Sequence, residues 1–290
     1  MHRIALVLLG LSVLALAAPW NVALNANLTA NQNAYSDNWA GTETGLFAWT
    51  FGTDFLAEKT LNTLMNTKNT AKLALGYTTN QDTAKHWSKP TKSTDLIDLE
   101  SVLRFTLGAW VDPFASARLE SQFTDASDAS LTRYVNPLKL TEGFGVARVF
   151  LKQPKSELVS KLGGAFKQTI DRDALEPPPN TLLARHTVFD NYGGLLFTTD
   201  YNTPLFGDRV TYTTKFSVFQ ALFFSGAAKL TGDTANYWKQ PDVNWEHTFS
   251  AGITKFLMVN LYAQLLYDRE VRRDLRFKET LALGLTYRLI

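Results

Sequence analysis

Cysteine is absent from the 290 residues. Its absence excludes disulfides, thiolate metal sites and a cysteine nucleophile, and it suits a chain that crosses an oxidising compartment unfolded, where thiols would mispair. Long apolar runs are missing too, apart from one near the start. No later stretch approaches the roughly 20 apolar residues that a helical membrane span needs. Nor is there an excess of either charge: Lys plus Arg number 29 against 27 Asp plus Glu. Such a balance leaves no electrostatic footprint for nucleic acid.

The one apolar run covers residues 4–16. It follows Met1-His2-Arg3 and leads into Ala15-Leu16-Ala17. A basic residue, a short apolar core and a small-x-small site form the pattern of a secretory signal peptide. The expected organisation is therefore a signal peptide over 1–17 and a single domain over 18–290. No cysteine follows the cleavage site, so a lipoprotein anchor is not expected.

What the chain has is alternation. Trp20, Val22, Leu24, Ala26, Leu28 and Ala30 oppose Asn21, Ala23, Asn25, Asn27, Thr29 and Asn31. A period of two means a strand with one apolar and one polar face. The pattern returns in residues 98–109, 259–268 and 277–289. A soluble β-sandwich also alternates, but these runs exceed the usual soluble strand of about 5 to 6 residues. Many polar faces carry several charges, and the apolar faces end in Trp, Tyr or Phe, as the interfacial girdles of a membrane barrel do. Strand centres fall near residues 25, 50, 74, 103, 119, 146, 163, 193, 214, 249, 263 and 283. Two stretches are ambiguous: 41–62 reads as one strand or two, and in 140–152 Arg148 shares a face with Phe144, Val146 and Phe150.

Connection lengths carry a second signal. Tight turns are expected at 66–69, 111–113, 153–155, 202–204 and 256–257. Longer polar connections fall between them, at 32–38, 80–93, 125–137, 172–183 and 226–241, with a short charged one at 270–275. Short and long connections in alternation are those of an outer-membrane barrel. The expected fold is an all-β, transmembrane, antiparallel up-and-down barrel of about 12 strands, in the bacterial outer membrane with both termini periplasmic. Its expected partners are outer-membrane lipid, the barrel-assembly machinery through the last strand, and small solutes; nucleic acid is not among them.

Several short segments carry a family likeness. They are Asn38-Trp39-Ala40-Gly41, the segment at Asp95, Ser121-Gln122-Phe123, Asp242-Val243-Asn244-Trp245-Glu246, Leu265-Leu266-Tyr267-Asp268 and Leu283-Gly284-Leu285-Thr286-Tyr287-Arg288-Leu289. Together they resemble the domain of unknown function 3078 family, a set of outer-membrane barrels, most specifically in the C-terminal third. Thr42 stands where the family usually has a second glycine, and the chain ends on Leu289-Ile290 where the family usually ends on an aromatic. The resemblance implies fold and location and supplies no activity.

Catalytic chemistry finds little support. Past the signal peptide the histidines are His86, His186 and His247. Ser250 lies near His247, but an odd separation on one strand sends the two to opposite faces. His86 and His186 fall in or beside outer loops. No metal-ligand spacing and no phosphate loop is present, so no enzymatic activity and no cofactor are expected. The triple proline at 177–179 reads as a stiff loop spacer. The informative polar set is the inward face: Asp98, Glu100, Arg104, Arg118, Glu120, Lys161, Lys167, Lys215, Glu246, Asp268, Lys278 and Arg288. A solvated or self-paired lumen accounts for it, and so does a mixed-charge constriction that filters solutes. A narrow channel is the leading functional expectation. A barrel that displays its outer loops is the second, and an enzyme at the rim the third. If Val111-Asp112-Pro113 is a three-residue hairpin loop, Arg104 stands opposite Glu120 and Thr106 opposite Arg118.

The signal pattern and the alternation together predict that the protein fractionates with the outer membrane and migrates differently on a denaturing gel before and after boiling. Recovery from the soluble periplasm would overturn the barrel.

Overall fold

The computed structural model describes residues 20–35, 44–128, 130–175, 185–254 and 257–288. The segment expected to be a signal peptide, the Asn38-Trp39-Ala40-Gly41 motif, most of the triple-proline connection and Leu289-Ile290 lie outside them. Twelve strands close into one antiparallel barrel. They are β1 (Asn21–Asn33), β2 (Leu46–Asn62), β3 (Met65–Asn80), β4 (Thr91–Phe105), β5 (Asp112–Ser121), β8 (Leu138–Gln153), β9 (Ser156–Leu175), β10 (Arg185–Leu205), β11 (Val210–Phe224), β12 (Asp242–Gly252), β13 (Leu257–Asp268) and β14 (Arg272–Arg288). A two-stranded ribbon, β6 (Thr124–Asp125) with β7 (Arg133–Tyr134), stands in the connection between β5 and β8. Each expected strand centre falls inside its barrel strand, and the ambiguous 41–62 stretch holds one described strand, β2.

Strand length follows from the environment. The strands run from 10 residues in β5 to 21 in β10, long enough to cross a bilayer at a tilt. The outward face is apolar and bare: Phe51, Phe55, Phe144, Leu162, Phe197, Leu281, Leu283 and Leu285 are all exposed, Phe144 by 70%. A continuous apolar surface of this kind needs a non-aqueous neighbour. At the short-turn end the belt is edged by aromatics. There Lys59 lies over the Trp20 ring at 5.5 Å and the Arg148 guanidinium over Trp110 at 4.7 Å. This resolves the ambiguity at Arg148. It does share the outward face with Phe144, and its charge reaches past the apolar belt to the interface, where an aromatic ring receives it.

The longer connections lie at one end, together with the short charged one after β13, and the remaining shorter connections at the other, but three tight turns sit elsewhere than the sequence suggested. The turn expected at 66–69 is at 63–64, where Leu64 N–H donates to the Asn62 side chain at 2.8 Å; Asn66 and Lys68 continue β3 instead. The turn expected at 202–204 is at 206–209. Phe206, Gly207 and Asp208 all have positive φ there, and Pro204 pairs within the sheet opposite Thr211. The third is the loop after β4. It covers 106–111 with Gly108 at φ 70, and Pro113 pairs inside β5 opposite Val146. A six-residue loop replaces the expected three-residue one. Arg104 therefore stands opposite Phe114, Glu100 opposite Arg118 and Asp98 opposite Glu120. The expected Arg104–Glu120 pair does not form. The register differs by an even number of residues, so every side chain keeps its expected face.

One strand contact depends on the lack of side chains. Gly145 and Gly163 stand opposite each other on β8 and β9, and a Cβ on Gly163 would lie 2.0 Å from the Phe144 carbonyl oxygen. Gly163→Ala is expected to force the two strands apart at a cost of about 1–3 kcal/mol. The check is the urea midpoint of the heat-modifiable form, which should fall.

Candidate functional site

The lumen is built in layers. Nearest the short turns lies a cavity of about 220 Å³. Its charged lining consists of Glu58, Asp98, Glu100, Glu157 and Asp200 against Lys68, Lys72, Arg104, Lys161 and Lys215, five of each sign. Ion pairs form its ceiling. Lys215 on β11 reaches across to Glu100 on β4 at 2.8 Å. Five steps of the twelve-strand circuit separate these strands in one sense and seven in the other, so the pair spans nearly opposite walls. Lys161 on β9 lies 3.6 Å from Glu100 and 3.4 Å from Asp200. Arg118 donates to both oxygens of Asp98 at 2.8 and 2.9 Å and lies 3.1 Å from Glu120.

Above the ion pairs the lumen turns apolar. Ala165, Phe219 and Ala221 are buried, with Tyr192, Leu196 and Trp238 packed on them. Trp238 comes from the connection after β11, where two 3-10 helices (Ala227–Lys229 and Gly232–Lys239) fold over the mouth. Lys167 lies over the Phe219 ring at 3.8 Å and pairs with Asp242 at 3.1 Å. Tyr192 stacks on Phe224 and donates its hydroxyl to Glu270 at 3.1 Å.

Of the twelve expected lumen residues, the layers gather Asp98, Glu100, Arg104, Arg118, Glu120, Lys161, Lys167 and Lys215. Arg104 is at the lower rim, 3.9 Å from Asp112. Glu246 stands beside Lys215 in register and accepts from the Asn244 amide at 2.7 Å. Lys278 stands opposite Gln264. Asp268 accepts the backbone N–H groups of Glu270 and Val271 at 3.0 and 3.2 Å and so caps the last hairpin. Arg288 pairs in register with Asn25, and its side chain lies outside the described residues. Sequence reasoning missed Glu58, Lys68, Lys72, Glu157 and Asp200, although the face on which each lies follows from the alternation of its strand.

The second built region is the β5–β8 connection. Arg133 lies 2.6 Å from Asp125 and 2.8 Å from Asp171. Asn136, fully buried, donates to the same two carboxylates and accepts from Arg172 N–H at 2.8 Å. Burial opposes the charge on Asp125, but Ser127, Asn136 and Arg133 outweigh it and hold the carboxyl below its usual range. From the barrel wall, Asp95 accepts the N–H groups of Phe123 and Thr124 at 2.5 and 3.0 Å. Two segments that carried the family likeness, at Asp95 and at 121–123, are thus bonded to each other.

On the outward face His247 sits among aromatics. It is bonded through Nδ1 to the Tyr212 hydroxyl at 2.8 Å and lies 4.6 Å from the Trp245 ring. Ser250 falls on the opposite face, as the odd spacing required.

Residues 30–126 match the family described as protein of unknown function, DUF3078. The match takes in the segments at 38–41, Asp95 and 121–123 but not the C-terminal ones. No curated protein matches the chain in sequence. Among solved structures it is similar to an outer membrane channel from Pseudomonas putida F1, at 14% identity and TM-score 0.44, over 94% of this chain and 96% of that one. It is also similar to the translocator domain of the autotransporter NalP from Neisseria meningitidis, at 10% identity and TM-score 0.38, over 92% and 87%. A third is OccK5 from Pseudomonas aeruginosa, at 10% identity and TM-score 0.27, over 93% and 98%.

The Glu270 carboxyl is pushed up to about 6, first by burial and then by Asp242, Asp268 and Asp190, against the Tyr192 hydrogen bond. The native state thus holds this proton more tightly than the unfolded chain does. The resulting stability is present below the ordinary carboxylate range and is lost as pH rises through the native value. Because the burial and the carboxylates that disfavour the Glu270 charge lie next to Tyr192, Phe224 and Trp238, hydrogen exchange of the 232–239 segment, corrected for intrinsic rate, should be slower at about pH 5 than at about pH 7. Glu270→Gln should remove the difference.

Proposed function

We propose that this is a bacterial outer-membrane barrel of the transport class, with periplasmic termini, whose lumen is a narrow solute pore shut at rest by its own side chains. The observation that carries the reading is the Lys215–Glu100 pair crossing from β11 to β4 above a charged cavity of about 220 Å³. A ceiling of two long side chains opens by rotamer change. A backbone plug would not. The balanced lining, five charges of each sign, favours small neutral or zwitterionic solutes over strong ion selection, since a single-sign ring is what filters ions. The apolar layer of Phe219, Leu196 and Trp238 is the outer gate, and the 225–241 connection moves with it. No step needs a cofactor, and we assign no enzymatic role.

A surface-display barrel is the second reading. It is favoured by the β5–β8 connection, whose buried Arg133–Asp125–Asp171–Asn136 network makes a rigid outer platform.

Planar-bilayer conductance tests the pore. Wild-type protein should show small, rare openings. Glu100→Gln with Lys215→Met should raise unit conductance or open time by about twofold or more, with heat-modifiable migration retained. A folded variant as silent as the wild type would leave the display reading in place.

A further inference from the structure

The barrel closes unevenly. β1 is paired with β2 along its whole length, from Asn21 opposite Glu58 to Asn33 opposite Leu46. With β14 it pairs only from Asn25 opposite Arg288 to Thr29 opposite Gly284. Beyond Gly284, among the described residues, nothing pairs with the β1-side edge of β14. Gly284 marks the end of the zipped part: a Cβ there would lie 2.6 Å from Thr29 Cγ2. The open stretch of β14 carries Leu281 and Leu283 outward, both bare. Unpaired strand edge at that depth is costly in hydrocarbon, so polar groups from the lumen side, water or a ligand's head, must reach it while apolar material covers the outer side.

The inward face of the same stretch is basic. Arg272, Arg276 and Lys278 stand there with one acid, Asp274. Among the described residues none of the three bases has an ion-pair partner, and Arg276 Nε is buried without a hydrogen bond. In the ion-pair layer Lys161, Lys167 and Lys215 each have a carboxylate partner, while Lys72 at the cavity wall, like the three β14 bases, has none within 4 Å among the described residues. Lys278 also ends a row of register partners along the wall, Asp200, Lys215, Glu246, Gln264, Lys278, which runs from the gap to the ion pairs above the cavity. On the outward face the neighbouring residue is Glu279, opposite Ala263. An anion is therefore repelled outside the wall and attracted inside it.

We propose that the gap between β1 and β14 is a lateral port that binds a single-chain anionic amphiphile. Its phosphate or carboxylate head lies inside on Arg276 and Lys278, and its acyl chain passes through the gap to lie on Leu281 and Leu283. The port rests on the membrane-barrel reading and gives the wall a second, lateral site for an anionic amphiphile, separate from the small-solute path along the lumen.

The test uses the full-length mature protein, folded in a neutral maltoside detergent, with dodecyl phosphate as probe and native mass spectrometry as readout. Saturable binding of one dodecyl phosphate is expected. Arg276→Gln with Lys278→Gln should weaken it about tenfold or more, because charge-assisted bonds to the head are lost. Inorganic phosphate at the same concentration should not bind; if it binds as well as dodecyl phosphate, the site is an ion site and the port is wrong. Continuing the register past Thr29 and Gly284 puts Asn31 opposite Ala282. In this cysteine-free chain Asn31→Cys with Ala282→Cys should form one disulfide that zips the gap. Binding should vanish on oxidation and return with reductant. Binding unchanged by the double Gln variant, or by the closed disulfide, overturns the port. Each arm is scored on heat-modifiable protein and none requires conductance, so a silent pore and an absent port are separate results.

Discussion

Backbone hydrogen bonding between neighbouring strands is the interaction on which the rest of this molecule depends. In hydrocarbon no water satisfies a free N–H or C=O, so a sheet must close on itself. Closure needs an even number of antiparallel strands with turns that reverse the chain each time. It also dictates side-chain chemistry, because each strand then has one face to lipid and one to the lumen. The exposed Phe144 and Leu281 and the enclosed Glu100 and Lys215 are consequences of the same ladder. So is the aromatic edge at Trp20 and Trp110, where a polar environment begins again.

A closed ring of twelve strands leaves an interior, and the contents of that interior follow from its cost. Charges enclosed in a lumen lose water and must find partners. Here they find each other: Lys215 with Glu100, Lys161 with Glu100 and Asp200, Arg118 with Asp98 and Glu120. Such pairs contribute modestly to stability, since desolvation offsets much of the attraction. Their geometric effect is larger. They cross the lumen at one level, while the buried Phe219 and Ala165 fill it at another, nearer the long-connection end.

How much of this was legible in the sequence divides along a physical line. Which face a residue takes depends only on parity, and parity survived every error in the turns. Arg104, Glu100 and Arg118 are on the inward face whether the loop after β4 has three residues or six. Register depends on turn chemistry, and there the proline at 113 and the Asn-Thr-Pro at 202–204 misled. Both prolines fit near strand ends, while the left-handed backbone that makes the turns is supplied by Gly108 and by Phe206, Gly207 and Asp208. The Arg133–Asn136 network was illegible for another reason. It joins residues from 125 to 172 across a folded loop, and no period in the sequence reports contacts of that kind. The gathering of Asp95 with Phe123 and Thr124 was legible only as a family likeness, without its geometry.

The uneven seam is the point at which ladder and lumen meet. A strand pair with five bonded positions is the weakest in the ring, because each lost pair removes backbone bonds that lipid cannot replace. If that edge served only to close the barrel, selection for stability would lengthen β1 against β14, as it has lengthened β9 against β10 from Glu157 to Leu175. Instead the open edge coincides with three inward bases that have no carboxylate partner among the described residues and with an outward acid at Glu279. The same stretch of β14 thus combines an edge without a strand partner and a base cluster without carboxylates. Water or a head group reaching from the lumen can serve the exposed backbone and the bases, and the bare Leu281 and Leu283 beside them are a surface for an apolar tail, so the two deficits meet where a charged, apolar-tailed molecule would lie.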